Sequence, residues 1–449
     1  MAFEITNQFL EKLVGFIYEN NDSKIKNLFS EVHYADIAEV LDEVSFDEAI
    51  YIIKLLDSEK TSEILTELDE DTREKILENL SAKEIAEEIE EMDSDDAADI
   101  IGELSEERQN RVINAIEDDE LAADIKELLS YNDDSAGSLM AKELVKVNET
   151  WTVASCVIEM RKQAENVTRV HSIYVTDEDD KLKGRLSLKD LLTASTKTHI
   201  SDVYISKVDY VSVDTKDEEV AKIMQKYDLE AIPVVDQKGV LVGRITIDDI
   251  VDFIKEEAEK DYQLAAGISQ DVEADDNIYE LTKARLPWLV LGLFGGLGSV
   301  YILKGFDEAL SSYPILFFFT PLIAAMAGNV GVQSSAIIVQ GLANDVVKGS
   351  MFHRLIKEVG LALINGSILG LLVVLFGAFV GQDFIVSITI ALSMLSVIII
   401  ASLIGTFVPI ILDRKGIDPA IATGPFITTS NDIFGIFLFF YIAKLILGF

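Results

Sequence analysis

Hydrophobic and polar positions follow three patterns along the 449 residues. In the first, from about residue 25 to residue 130, helically spaced apolar positions alternate with Ser or Asp at every twelfth residue. These side chains readily accept a backbone N–H at a helix start, and each follows an apolar residue, as in a hydrophobic staple. The recurring positions are Ser45, Asp57, Asp69, Ser81, Asp93 and Ser105. The pattern predicts an acidic all-α superhelical domain of short stacked helices, with its acids facing outward.

The second pattern, from about residue 142 to residue 255, alternates short β-branched stretches with helical ones. It occurs twice, and each copy ends in a matching segment, residues 184–190 (GRLSLKD) and residues 243–249 (GRITIDD). These segments resemble the signature of tandem CBS domains, in which Gly, then Ser or Thr, then Asp recur at three-residue intervals. The resemblance implies an α/β region made of two similar halves.

The resemblance to CBS domains also raises the question of a nucleotide. In that family the hydroxyl and the aspartate of the signature can hold the phosphate and ribose of an adenine nucleotide. The matching positions are Ser187, Asp190, Thr246 and Asp249. A hydroxyl residue followed by aspartate is also an ordinary helix start. Both interpretations stay open, so ATP at the CBS pair is an optional cofactor.

The third pattern is apolar and covers residues 286–449. Five stretches are near the 20 mainly apolar residues that a helix needs to span a bilayer. They are residues 286–304, 314–342, 358–381, 384–412 and 421–448. Lys and Arg concentrate in the loops on the side of the N-terminal half, as is typical of cytosolic loops. We therefore predict a five-helix α transmembrane domain in the cell membrane, with the N-terminal half in the cytosol and the C-terminus outside.

Two of the five spans contain polar residues within the apolar stretch, at residues 328–335 (GNVGVQSS) and residues 428–435 (TTSNDIFG). Polar groups in hydrocarbon are costly unless they face a bundle interior or water. Asp432 follows the start of its predicted span by eleven residues, roughly 16 Å, near the middle of a core about 30 Å thick. A carboxylate at this depth indicates a functional site. The residues expected on its helix face are Thr428, Thr429 and Gly435.

Charge divides the chain into two parts. The net charge is −40, but residues 286–449 hold eight acidic against seven basic side chains, so almost all of it precedes them. This charge opposes nucleic acid as a partner and favours cations, although acidity also serves solubility. The densest cluster is Asp93, Asp95, Asp96 and Asp99. A second follows the CBS pair on a predicted helix, either a solvated linker or a gate, and includes Asp252, Glu256, Glu257 and Glu259.

Other chemistry is sparse. Cys156 is the one cysteine, so no internal disulfide can form, and the first 20 residues lack a secretory signal pattern. The sequence has no Gly-rich phosphate loop with its lysine and no nucleophile–base–acid set, so we predict that the protein is not an enzyme. The membrane half has no cysteine, and its one histidine, His353, lies in a cytosolic loop, which opposes Zn²⁺ and Cu⁺.

Oxygen ligands around Asp432 suit hard cations. Mg²⁺ keeps several of its waters and uses one or two carboxylates, whereas Ca²⁺ takes more direct oxygen ligands. One aspartate per chain, doubled in a dimer, therefore suits Mg²⁺. The residues separate Mg²⁺ from Mn²⁺ and Co²⁺ poorly.

The order of these parts and three motifs resemble the MgtE family of magnesium channels over essentially the whole chain. The motifs are AGSLM at 136–140, Pro321 followed by GNVGVQS at 328–334, and DPA at 418–420 followed by GP at 424–425 and TTSNDIFG at 428–435. The resemblance implies a homodimer in the lipid bilayer, with a pore along its axis lined mainly by the second and fifth spans.

The resemblance also implies roles for single residues. The pore residues would be Asp432 as the Mg²⁺-recognising aspartate, with Asn329, Gly328, Gly331, Thr428, Thr429 and Asp418. The acids in regions where Mg²⁺ bridges cytosolic domains would be Asp93, Asp95, Asp96, Asp99, Asp248, Asp252, Glu256, Glu257 and Glu259.

The predicted function is a Mg²⁺-selective channel or transporter that imports Mg²⁺ and is closed by cytosolic Mg²⁺ between acidic N-domain, CBS and connecting-helix faces. The alternative is a cation-coupled carrier of divalent metals that also carries Mn²⁺ and Co²⁺. A CBS-bearing anion channel is opposed by Asp432. The predicted domains are an acidic helical-repeat N domain (1–135), tandem CBS domains (136–253), an acidic connecting helix (254–283) and a transmembrane pore domain (284–449).

Overall fold

The computed structural model describes residues 3–449 except residues 165, 166, 168, 271, 273, 275, 345 and 348, and the side chains of residues 71, 310 and 422 are also outside the description. The chain divides into two compact units, Met1–Ile254 and Lys255–Phe449. The first unit contains the acidic helices and the CBS halves, and the second contains the apolar helices.

Short helices fill the first part of the first unit, as the twelve-residue pattern predicts. The described bounds are α1 Asn7–Tyr18, α2 Asp22–Phe29, α3 Tyr34–Glu43, α4 Phe46–Ile53, α5 Ser58–Glu67, α6 Glu70–Glu78, α7 Ala82–Ile89, α8 Ser94–Gly102, α9 Glu106–Ile113 and α10 Asp119–Leu128. All six predicted cap residues immediately precede a helix, from α4 to α9. The periodic Ser and Asp positions are therefore confirmed as helix starts.

Alternate helices of this region stack on one another. α3 packs on α5, α5 on α7, and α7 on α9, which produces a superhelix around an apolar core. Arg73 ties two levels of the stack together, because its Nε donates to both carboxylate oxygens of Glu103 at 3.0 Å. Its Nη1 also donates to the carbonyl oxygen of Leu68 at 3.0 Å.

The CBS region contains two three-stranded sheets of the same topology. In each, the first two strands are parallel and the last two antiparallel, in the orders β1-β2-β3 and β4-β5-β6. The bounds are β1 Val145–Asn148, α11 Val153–Gln163, β2 Ile173–Thr176, β3 Leu182–Leu186, α12 Leu188–Thr193, β4 Val211–Ser212, α13 Asp217–Tyr227, β5 Ala231–Val235 and β6 Leu241–Thr246. The predicted duplication is confirmed.

The acidic helix after the CBS region starts earlier than predicted. This helix, α14, covers Ile247–Ala266, whereas the sequence predicted a connecting helix over residues 254–283. Thr246 and Asp249 hydrogen-bond to each other at its first turn, so the helix begins at the CBS signature itself. Directly after α14, the described residues 267–270 are not helical.

Within the described part of the chain, five helices in the second unit are long and apolar enough to cross a membrane. They are α15 Ile278–Lys304, α17 Ile315–Ala343, α18 Met351–Phe379, α19 Phe384–Asp413 and α20 Gly424–Leu447, with the short α16 Asp307–Ser312 between the first two. α19 packs against α17, α18 and α20, and α15 packs against α20. The predicted multidomain architecture, with five membrane-spanning helices, is confirmed.

Removing one helix cap should destabilise the superhelical region by a small, defined amount. Ser81 Oγ accepts the Glu84 N–H at 3.2 Å, and the Glu84 carboxylate accepts the Ser81 N–H at 2.7 Å. These bonds help to lower the pKa of Glu84 to about 2. Ser81→Ala should lower the free energy of unfolding by about 1 kcal/mol, measured by urea unfolding followed by helical circular dichroism.

The matched control for this cap is Thr66→Ala. The Thr66 hydroxyl is exposed and bonds only within its own helix, to the Glu63 carbonyl at 3.0 Å. Its removal should change stability by less than about 0.5 kcal/mol. Equal effects of the two substitutions would contradict the capping role of Ser81.

Candidate functional site

The second and fifth spans meet where the sequence places their polar segments. A Cβ atom at Gly331 of α17 would overlap Nδ2 of Asn431 on α20 and would lie 2.7 Å from Cγ2 of Ile427. Only glycine allows the two helices to come this close. One turn away, Gly328 faces Thr428, whose Cγ2 would lie 3.6 Å from an added Cβ. The structure therefore brings Gly328, Gly331 and Thr428 together.

The two threonines of α20 face different helices, because successive helical residues are about 100° apart. Thr428 faces α17, and its hydroxyl donates to the carbonyl oxygens of Gly424 and Pro425 at 3.1 Å. The Thr429 side chain packs against Gly295 of α15. Gly435 contacts Ala327 and Val397, on α17 and α19. These positions surround Asp432 rather than forming one continuous face.

Asp432 lies eight residues after the start of α20, or about 12 Å along the helix. The sequence placed it roughly 16 Å into its span, but α20 begins three residues later, at Gly424. The preceding residues form a 3-10 turn over Pro419–Ala422, whose start is capped by Asp418 Oδ1 accepting the Ala420 N–H at 2.7 Å. Asp432 remains partly exposed in the single chain, and Asn329 of α17 is exposed.

The acidic cluster on α8 is partly buried within the first unit. Asp95 is only 9% exposed, so the expectation that the acids all face outward is wrong at this position. Loss of hydration, followed by the charges of Asp249, Asp96, Asp93 and Glu143, raises its pKa well above 3.8. Desolvation and the charges of Asp249 and Asp93 also raise the pKa of Asp96, to about 7. This cluster therefore holds negative charge that its surroundings compensate poorly.

Asp249 and Glu143 belong to this acidic cluster, although the sequence did not assign them to it. Glu143 accepts the Ser94 hydroxyl at 2.8 Å and the Ser94 N–H at 3.1 Å, at the start of α8. Burial raises the pKa of Asp249, although hydrogen bonds from Thr246 oppose the shift. No local sequence signal links residues about 50 and 150 positions apart; only the packing of the N domain on the CBS region does so.

One buried cation accompanies the cluster. Arg244 is 5% exposed, and its Nη2 lies 3.7 Å from Asp93 Oδ2. Its Nη1 donates to the carbonyl oxygen of Arg169 at 3.1 Å. This guanidinium offsets part of the negative charge at Asp93.

The first turns of α14 also face acidic N-domain residues. Desolvation and the charge of Asp252 raise the pKa of Glu67 on α5. At Asp248, burial raises the pKa. A hydrogen bond from Thr246 and the charges of His171 and Arg169 outweigh burial, so the pKa is lowered overall. Asp252 is therefore close to Glu67 of the N domain. Asp248 is close to Tyr34 of the N domain, because desolvation and nearby charges that include Asp248 raise the pKa of Tyr34.

The remaining predicted acids lie further along α14 and belong to the second unit. Glu257 pairs with Lys260 at 3.3 Å, while Glu256 and Glu259 are exposed. Among the residues that the structure describes, no group of three or more His, Cys, Asp or Glu side chains is arranged to ligate a metal directly.

The four nucleotide candidates form two similar helix starts. Ser187 Oγ donates to Asp190 Oδ2 at 2.7 Å and accepts the Asp190 N–H at 3.0 Å. Thr246 Oγ1 donates to Asp249 Oδ2 at 2.6 Å. Each hydroxyl is therefore used in a hydrogen bond with its own aspartate.

Removing the Asp96 carboxyl should change how stability depends on pH. Because the folded state raises this pKa from 3.8 to about 7, it binds the proton more tightly than the unfolded state, and wild-type stability falls as pH rises between these values. Asp96→Asn lacks this penalty, so its advantage in unfolding temperature over wild type should grow from pH 4.5 to pH 8. The measurement is thermal unfolding of the full chain in detergent with a chelator.

Added Mg²⁺ should reduce the advantage of Asp96→Asn at pH 8, because cations compensate the ionised cluster. Glu11→Gln, at an exposed acid of α1, is the matched control. A pH dependence that is identical in Asp96→Asn and wild type would contradict the clustering.

Three known families match successive parts of the chain. Residues 320–442 match MgtE, a divalent cation transporter family. Residues 32–134 match the MgtE intracellular N domain, and residues 136–197 and 200–256 match CBS domains.

Similar proteins support the same assignment. The chain is 35% identical over 317 residues to the magnesium transporter MgtE of Bacillus subtilis, covering 70% of each chain. It is 35% identical over 328 residues to that of Thermus thermophilus, covering 71% of this chain and 72% of the relative.

A solved structure resembles the first unit. The crystal structure of the cytosolic domain of the Mg²⁺ channel MgtE in complex with ATP is 33% identical, with a TM-score of 0.52, and covers 54% of this chain and 99% of that one. The crystal structure of the soluble part of a magnesium transporter is 27% identical, with a TM-score of 0.51, and covers 56% and 98%. Together with the paired spans and the duplicated CBS halves, these matches show that the chain belongs to the MgtE family of divalent cation transporters.

Proposed function

We propose that this protein is a Mg²⁺-selective channel that imports Mg²⁺ across the cell membrane and closes when cytosolic Mg²⁺ is high. The observation that carries the proposal is Asp432, a partly exposed carboxylate within an apolar helix, α20, that packs against α17. Relatives that cover most of this chain are magnesium transporters. The chain is accordingly a transporter rather than an enzyme.

The ligand chemistry supports a hydrated hard cation. α17, which packs against α20, presents the exposed amide of Asn329 as a further oxygen group. Mg²⁺ binds with one or two carboxylates and retained waters. A homodimer would double the carboxylate and would bring exposed Asn329 and partly exposed Asp432 toward a shared axis. In this arrangement the N-terminal half is cytosolic and the C-terminus is outside.

The regulatory part of the proposal, closure by Mg²⁺, rests on the negative charge of the acidic clusters. Two unit charges about 4 Å apart interact by about 4 kcal/mol at an effective dielectric constant near 20. The carboxylates around Asp95 and Asp96, and those facing Asp252, therefore repel one another. Divalent cations held by these acids would reverse the sign of the interaction and favour the compact state, since a ligand shifts a conformational equilibrium by its differential affinity. The acids Asp93, Asp99, Asp248, Glu256, Glu257 and Glu259 are further proposed ligands.

The end of α14 offers a route from sensor to pore within the second unit. A Cβ at Gly424, the first residue of α20, would overlap the carbonyl oxygen of Ala265 near the end of α14. Gly267, with φ of +82°, lies so close to Pro425 that a Cβ would overlap its ring. The end of the acidic helix therefore packs tightly on the start of the helix that carries Asp432.

The segment after α14 is also fixed to the first span. Gln263 on α14 binds the backbone of Val272 twice, donating to its carbonyl oxygen at 3.0 Å and accepting its N–H at 3.2 Å. Ser269 donates to the Ala284 carbonyl oxygen of α15 through its hydroxyl at 2.9 Å and its N–H at 3.0 Å. Movement of α14 would thus be transmitted to α15 and α20 together.

ATP is a further proposed ligand, at the CBS pair. The similar cytosolic domain was solved with ATP, and this chain keeps the hydroxyl–aspartate pairs of both CBS signatures. The proposed contacts are Ser187, Asp190, Thr246 and Asp249. Nucleotide binding would require these pairs to exchange some of their mutual hydrogen bonds for bonds to the ligand.

The second candidate function is a carrier that couples the movement of divalent metals, including Mn²⁺ and Co²⁺, to another cation. Oxygen ligands and a single carboxylate per chain suit these ions as well. Single-channel current steps would separate a channel from a carrier.

Neutralising the membrane carboxylate should abolish transport. Asp432→Asn and Asp432→Ala should lower Mg²⁺ uptake into liposomes to the level of protein-free liposomes, because no charge remains to offset the partial dehydration of the ion. Size-exclusion chromatography in detergent should show unchanged assembly.

The control for this experiment is Asp383→Asn. Asp383 caps α19 by accepting the Ile385 N–H at 3.0 Å, and asparagine is an equally good cap. Uptake by Asp432→Ala at the wild-type rate would refute the assignment of the pore.

Disturbing the junction of α14 and α20 should uncouple closure from internal Mg²⁺. Gly424→Ala places a methyl group against the Ala265 carbonyl, so we expect Mg²⁺ uptake that millimolar internal Mg²⁺ no longer suppresses. The control is Gly360→Ala on α18, where an added Cβ would meet no atom within 4 Å. Suppression of Gly424→Ala to the same extent as wild type would argue against this junction as the coupling element.

A further inference from the structure

Asn431 precedes Asp432 and is a buried polar residue that the function proposed above does not use. It is only 1% exposed. Among the residues that the structure describes, neither its Oδ1 nor its Nδ2 atom has a hydrogen-bond partner. Burying an amide without partners is costly, whereas an apolar side chain of the same shape would avoid the cost.

The surroundings of this amide are apolar except for the α17 backbone. Val397 and Ala401 of α19 and Gly435 of α20 line the same narrow space. On the opposite side Nδ2 presses on Gly331, where a Cβ would also lie 3.1 Å from the Asn431 Cγ atom. Glycine at this position thus exposes the α17 peptide groups to the amide.

Ordinary structural roles do not account for Asn431. It is the eighth residue of α20, so it cannot cap the helix start. It forms no bond to its own helix and none across to α17 or α19 within the described residues. Local costs of this kind persist mainly at functional sites, where another state of the protein supplies the missing interaction.

We propose that Asn431 is a positioning residue of the ion site. When a divalent cation lies beside Asp432, the Asn431 amide hydrogen-bonds to the α17 backbone in the turn from Gly328 to Gly331. This bond holds the turn in place relative to the Asp432 carboxylate. This inference rests on the proposed role of Asp432. A small shift is sufficient, because Nδ2 already touches Gly331 and a helical carbonyl oxygen retains a second lone pair.

The consequence is ion selectivity. Mg²⁺ demands near-ideal octahedral geometry, whereas Ca²⁺ tolerates variable coordination. A turn of α17 held at a fixed distance from Asp432 therefore favours Mg²⁺, and a loosened turn favours it less. Asn431 would set the preference without contacting the ion itself.

The test is Asn431→Leu in the full chain reconstituted in liposomes, with separate Mg²⁺ and Ca²⁺ uptake assays and thermal unfolding in detergent. We expect about tenfold slower Mg²⁺ uptake, as for the loss of one hydrogen bond, together with a lower ratio of Mg²⁺ to Ca²⁺ uptake. The unfolding midpoint should stay unchanged or rise, because leucine removes the unpaired amide. A purely structural asparagine would give the opposite change in stability.

The matched control is Ser393→Ala on α19, which removes another buried side-chain oxygen that has no partner among the described residues. It should leave both uptake rates unchanged. If Asn431→Leu gives no cooperative unfolding transition, Asn431→Ala provides the same test without the bulk.

Two results would overturn the inference. One is wild-type Mg²⁺ uptake and selectivity in the Asn431 variant. The other is a lower unfolding midpoint with equal loss of Mg²⁺ and Ca²⁺ uptake, since it would indicate a static structural role. By contrast, normal uptake by Asp432→Ala, or no divalent uptake by the wild type, would overturn the proposed function itself.

Discussion

The arrangement of the transmembrane unit depends on the free-energy cost of keeping a carboxylate inside an apolar helix. An ionised group that leaves water loses several kcal/mol of hydration unless a partner offsets the loss. Asp432 keeps an exposed edge, while the adjoining Asn431 is turned inward against Gly331. Gly331 of α17 allows α20 to approach closely at Asn431, the residue before Asp432. A cation that arrives with its own waters is the partner that such a site suits.

The first unit has a related excess of negative charge in a different setting. Asp95 is buried, the pKa of Asp96 is raised to about 7, and the Arg244 guanidinium pairs with the neighbouring Asp93. The acids on the N domain, on the CBS region and on the first turns of α14 therefore carry negative charge that nearby basic groups offset only in part. Sensor and pore thus share one chemical demand, for a hard divalent cation, and α14 ends in tight contact with the start of α20.

Local patterns predicted the elements of this fold well. Asp69 and Ser81 cap their helices through hydrogen bonds within three residues, and all six periodic positions precede a helix, so their period identified the helix starts. The duplicated CBS segment and the apolar spans are equally local. α14 begins where Thr246 and Asp249 hydrogen-bond to each other, and α20 follows a turn that Asp418 caps, so side-chain hydrogen bonds locate these helix starts more closely than hydropathy does.

Long-range relations within the sites could not be predicted in the same way. Asp95 is buried because the N domain packs on the CBS region, and the same packing brings Asp249 and Glu143 into its cluster. The sequence offered Asp249 as a nucleotide contact and gave Glu143 no role. Asn431 stood in a recognised motif without a function, because its significance depends on the glycine opposite it on α17.

The most direct test of the central claim locates the ion. Anomalous scattering from crystals of the full chain grown with Mn²⁺, which shares the oxygen preference of Mg²⁺, would show divalent ions independently of transport. The account predicts a peak beside Asp432 at the crossing of α17 and α20, either on the carboxylate or one water away. Peaks confined to the cytosolic acids, with Asp432 paired to a protein group in a dry contact, would contradict it.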